Sequence, residues 1–89
     1  MALTSDDLTG IAALAGQSGS VRELAAALRG RFAGLRVTVL DPLDVRDETP
    51  LKHLPGCDLF LMASDGHCWS MTTDPAQAVG IVLTPRSTP

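Results

Sequence analysis

Six consecutive residues, Ser64-Asp65-Gly66-His67-Cys68-Trp69, contain the only Trp of the chain, one of its two His and one of its two Cys. Imidazole, thiol and indole are the groups a small protein uses to bind metal, run thiol chemistry or anchor a partner. Together with His53 and Cys57, His67 and Cys68 make four ligands of the kinds zinc takes. Their spacing argues against a site. His67 and Cys68 are adjacent and would point to opposite sides of a strand, whereas structural zinc sites draw ligand pairs with two to four residues between them. No metal and no other cofactor is expected, and His67 is expected to flank a turn, its ring bonded to Asp65 or to backbone. A Cys57–Cys68 disulfide would have to close a gap on the order of 20 Å, against a limit of ~7 Å between Cα atoms. Ser64, Asp65 and His67 crowd one turn and cannot form a relay merely by being close in sequence. There is no Cys-x-x-Cys, no phosphate loop after a strand, and Asp41, Asp44, Asp47 and Glu48 lack the spacing of a calcium loop. No catalytic residue emerges, and the chain reads as a non-enzyme.

The elements that position these residues can be read on either side of them. Residues 59–63 and 68–72 alternate as strands around Asp65-Gly66, a strong hairpin signal. A two-residue turn there pairs Ser64 with His67, Ala63 with Cys68, Met62 with Trp69, Leu61 with Ser70 and Phe60 with Met71. Alternation then puts Phe60, Met62, His67, Trp69 and Met71 on one sheet face, and Leu59, Leu61, Ala63 and Cys68 on the other. Upstream, Thr4 with Asp7 imitates a capping box, and Leu8, Ile11, Ala12 and Ala15 form one helical stripe. Ser20 with Glu23 starts a second helix whose face is Val21, Leu24, Ala25, Leu28 and Phe32, with Gly34 as its left-handed stop and Leu35 closing it. Residues 35–40 alternate as a strand. Residues 41–57 are expected to be irregular, with a helical turn where Thr49 caps and Pro50 follows. Asp74-Pro75-Ala76-Gln77 opens another short turn, 81–84 is a last strand, and 85–89 is a flexible tail.

The predicted fold is α+β: one domain over residues 1–84, with two N-terminal helices packed on a mainly antiparallel sheet of three to four strands around a central hairpin. A thioredoxin-like α/β arrangement is the alternative. Two modest helices can cover only one face of such a sheet. The Phe60–Met62–Trp69–Met71 face is therefore either core or a surface for a partner.

Composition narrows the classes. The chain has 89 residues, a net charge of −3 and only 3% aromatics. That balance argues against nucleic-acid binding. No apolar run approaches the ~20 residues that span a bilayer, so no membrane role is expected. The start Met-Ala-Leu-Thr-Ser-Asp-Asp is acidic and unlike a signal peptide, which with two Cys points to reduced thiols in a cytoplasm.

Read together, Asp58-Leu59-Phe60-Leu61-Met62, Ser64-Asp65-Gly66-His67-Cys68-Trp69-Ser70-Met71-Thr72 and Asp74-Pro75-Ala76-Gln77-Ala78-Val79-Gly80-Ile81-Val82-Leu83 resemble a family of small uncharacterised bacterial proteins encoded in nitrogen-fixation (nif) gene clusters. The resemblance covers residues 31–84 and is sharpest over 65–83. It brings no catalytic residue. It implies a cytoplasmic protein that serves nitrogenase, its assembly or its protection. The leading expectation is an accessory protein that binds a nitrogenase component or maturation factor through the hairpin region, with Phe60, Met62, Asp65, His67, Trp69 and Met71 as contact residues. The alternatives are a small metal or thiol-redox carrier using His67 and Cys68, with Cys57 or His53, and a structural homodimer that buries the second sheet face against itself.

Overall fold

The computed structural model describes residues 3–54, 56–66 and 68–85. Its first helix, α1 (Ser5–Gln17), starts with the predicted reciprocal box. The Thr4 hydroxyl accepts from the Asp7 N–H at 3.1 Å, and the Asp7 carboxylate accepts from the Thr4 N–H at 2.9 Å. Ile11 and Ala15 are buried and Leu8, Ala12 and Leu14 flank them, so the stripe seen in the sequence is the packed one. In α2 (Val21–Arg31), Ser20 caps the Glu23 N–H at 3.2 Å. Glu23 reaches back one residue further than predicted and accepts from the Gly19 N–H at 2.7 Å. The end of α2 also differs. Gly34 is not left-handed; Phe32 swings into the core and the Leu35 N–H closes on its carbonyl at 2.9 Å. A buried aromatic at the helix end turns the chain without a positive-φ residue.

Five strands follow: β1 (Arg36–Val39), β2 (Lys52–Leu54), β3 (Cys57–Ser64), β4 (Trp69–Thr72) and β5 (Gly80–Pro85). They form one mixed sheet in the order β1-β5-β3-β2, with β4 also on β3. Because β5 pairs with β3 along residues 57–62, β2 and β4 share the opposite side of β3, one after the other. Three of the four pairings are antiparallel, and the parallel one joins β1 to β5. The fold is α+β, as predicted, with two N-terminal helices ahead of the strands. The last strand does pair in parallel, with β1, but a thioredoxin-like α/β arrangement does not form, since both helices precede β1 and no described α-helix connects two strands.

The differences from the sequence reading lie in residues 41–57. The helical turn there spans Pro42–Val45, not Thr49-Pro50, and uses the same chemistry eight residues earlier: Asp41 accepts from the Leu43 N–H at 2.9 Å and Pro42 takes the first position. β2, an unpredicted fifth strand, folds back on β3 through Gly56, whose φ of 80° favours glycine. Three residues are too few for alternation to show in sequence. At the other end β5 runs to Pro85, and residues 86–89 lie outside the described residues.

The two sheet faces are covered unequally. Cys57, Leu59, Leu61, Val37, Ile81 and Leu83 pack under the helices in the main core. On the other face Phe60 and Val82 are buried beneath Val45, delivered by the Pro42–Val45 turn, with Leu40, Met62 and Met71 partly buried around them. No described helix is long and apolar enough to cross a membrane.

Candidate functional site: a half-covered Trp-Met surface

The hairpin that carries the candidate residues turns later than predicted. Asp65 N–H bonds the Cys68 carbonyl at 3.4 Å, and the Cys68 N–H bonds the Asp65 carboxylate at 2.8 Å. Gly66, with φ of 96°, is the first residue inside that closure and also donates to the Ser64 hydroxyl at 3.1 Å. Hairpins favour a glycine of positive φ at that position. The register becomes Ser64 to Trp69, Ala63 to Ser70, Met62 to Met71 and Leu61 to Thr72. Every partner has moved by two residues. Because side chains alternate with period two, a slip of two keeps each on its predicted face. Phe60, Met62, Trp69 and Met71 therefore do share a face, while Cys68 leaves the strand and sits exposed in the loop. His67, with its expected bond to Asp65, lies outside the described residues.

That face is neither wholly core nor wholly open. Phe60 is buried under Val45, Met62 and Met71 are half-buried, and Trp69 is 48% exposed. Burial thus falls off along the sheet toward the hairpin. The Pro42–Val45 turn covers one end and leaves the other.

Arg36 was not foreseen in this site. Its guanidinium carbon lies 5.0 Å from the centre of the Trp69 ring, within cation–π range. The two reach each other across β5 and β3. Gly80 stands between them without a side chain: a Cβ there would come within 3.1 Å of the Met62 methyl and 3.2 Å of the Arg36 carbonyl. Parallel pairing of Arg36 with Gly80 and antiparallel pairing of Met62 with Gly80 produce this convergence. Glu48, Met62, Ser70 and Met71 line a shallow hollow of about 180 Å³ with Trp69. A second hollow of about 260 Å³ adds Asp47, Thr49 and Phe60. Trp69 thus has the Arg36 cation over its ring and shares its hollow with Met62, Met71 and the Glu48 carboxylate.

Of the metal candidates, the described ones, His53, Cys57 and Cys68, do not come together. His53 Nδ1 lies 2.6 Å from Asp58 Oδ1 on β2 and β3. Asp58 is six residues along β3 from Ser64, or ~20 Å at strand spacing. Cys57 is buried on the helix side. Among the described residues no group of three or more His, Cys, Asp or Glu could hold a metal ion. Asp65 serves the turn backbone.

Trp69, with Arg36, Met62 and Met71 as neighbours, lies at the margin of the covered sheet of this α+β protein; Trp, Met and Arg are side chains enriched at interfaces. The chain belongs to a family of unknown function, DUF6129, whose profile matches residues 9–86, from within α1 to beyond β5. No curated protein and no solved structure matches the chain.

Proposed function

We propose that this chain is a non-enzymatic accessory protein that binds a protein partner through the sheet face bearing Trp69. In a nitrogen-fixing bacterium that partner is a nitrogenase component or maturation factor in the cytoplasm. The observation that carries the contact role is Trp69 itself, half-exposed, backed by Met62 and Met71 and held from one side by Arg36. An apolar ring held in place loses little conformational freedom on binding, and Trp and Arg are the side chains that dominate interface energetics. The assignment to nitrogen fixation rests on the resemblance of residues 58–83 to proteins of nif gene clusters. Co-purification of the tagged chain from nitrogen-fixing cells tests it. A nitrogenase component or maturation factor retained by the wild type and lost by Trp69→Ala is the expected outcome. Recovery of a second copy of the chain in its place, or of the same proteins with both baits, contradicts it.

A further inference from the structure

The β1 edge of the sheet carries a second surface, on the helix side of the strand whose Arg36 reaches Trp69 on the other face. Among the described residues β1 pairs only with β5. Bonds from the Arg36 N–H to the Val79 carbonyl at 3.3 Å, and from the Leu40 N–H to the Leu83 carbonyl at 3.0 Å, show which residues face β5. By strand alternation Val37 and Val39 turn their backbone groups to the open side. There the Val37 carbonyl accepts from Arg29 Nη2 at 3.0 Å. Sheet edges of this kind are templates for another strand, and a charged side chain laid across one is a common guard.

Beside this edge lies a hollow of about 510 Å³ lined by Arg22, Ala25, Arg29, Val37, Thr38 and Val39. Arg22, Ala25 and Arg29 fall at i, i+3 and i+7 on α2, one face of the helix. Of the six described lining residues two are cationic and none is acidic, in a chain whose net charge is −3. A symmetric pairing of two copies through β1 would set the Arg22 and Arg29 pairs against each other, and like charges so placed repel.

We infer that the β1 edge binds an extended acidic segment of a partner protein as an added antiparallel strand. Residues of the segment opposite Val37 and Val39 exchange backbone bonds with them, and Arg29 leaves the Val37 carbonyl. Directly opposed residues point to the same face. Val37 and Val39 face the helices, so the two opposing side chains of the segment do too, toward Arg22 and Arg29. The recognised pattern is therefore two carboxylates at alternate positions. Main-chain bonds supply affinity and the alternate side chains supply selectivity.

The probe is a blocked peptide with Glu at alternate positions between Val and Thr, compared with its Lys counterpart and with a form N-methylated at the Glu amides. Binding is followed by amide exchange and chemical shifts on the full chain. The Glu peptide is expected to slow exchange at Val37 and Val39 about tenfold or more, while the Lys and N-methylated peptides do not. Arg22→Gln and Arg29→Gln are each expected to weaken binding by up to about fivefold, the range of a partly exposed ion pair. Unchanged Leu61 and Ile81 shifts in these variants certify the fold. Equal binding of the Lys peptide, or no protection at Val37 and Val39, overturns the inference. So does protection of the same amides that grows with protein concentration alone, which would assign the edge to a second copy.

Discussion

At the scale of single residues, Trp69 and Phe60 divide the work of one sheet face. Phe60 is buried beneath Val45, whereas nearly half of Trp69 is open and the Arg36 guanidinium lies 5.0 Å from its ring centre. Phe60→Ala should therefore cost about 3–5 kcal/mol, as large-to-small changes in a core do. Trp69→Ala should cost only about 1 kcal/mol, since an exposed cation–π contact is worth ~0.5–1 kcal/mol. Urea titrations of both variants check this, and a Trp69 cost as large as that of Phe60 would mean the ring is core. As the only Trp, Trp69 also reports on itself: its emission should be accessible to acrylamide in the isolated chain. Arg36→Gln should raise the quenching further. The shared face of Phe60, Met62, Trp69 and Met71 was legible in the sequence because it depends only on parity along two strands. Arg36 was not, because its approach depends on a parallel pairing of residues 36 and 80 that no local pattern announces.

At the scale of elements, the hairpin and β5 show where close packing replaces pattern. Asp65-Gly66 marks a hairpin correctly, yet the closure is between Asp65 and Cys68, so the turn is centred one residue later than the dipeptide suggests. Gly66→Ala places a side chain at φ of 96° and should destabilise the chain by about 1 kcal/mol or more, visible as a lower melting temperature with the Trp69 face intact. Gly80→Ala acts differently. Its Cβ meets the Met62 methyl and the Arg36 carbonyl within 3.2 Å, and of these only the methyl can move aside. A loss of about 1–3 kcal/mol is expected, together with a shift of the Trp69 emission as Met62 and Arg36 are pushed apart. Stability falling with no spectral change would contradict the packing of the site around Gly80. Both helices could be traced from caps and stripes alone. β2 could not: its three residues have no periodicity of their own and are defined by β3 alongside.

At the scale of the whole molecule, β3 and β5 sit at the centre of the sheet, with the helices on one face and a partial cover on the other. Exchange at Leu61 and Ile81 should require opening of the entire fold, while Ser70, on a strand bonded along one side only, should exchange through local opening. Equal protection at Ser70 and Leu61 would count against this order. Such an arrangement leaves the hairpin end the least covered part of a firm sheet, which suits contact more than catalysis. It also separates the residues that first suggested chemistry, with His53 by Asp58 at one end, Cys57 under the helices, and Cys68 in the loop at the other end. The central claim is that Trp69 anchors a protein partner, and the affinity ratio between wild type and Trp69→Ala for the nitrogenase component or maturation factor tests it most directly. A buried interfacial Trp costs about 2 kcal/mol or more when truncated, so calorimetry should show at least about thirtyfold weaker binding with the melting curve little changed. Affinities that agree within about twofold would contradict the account.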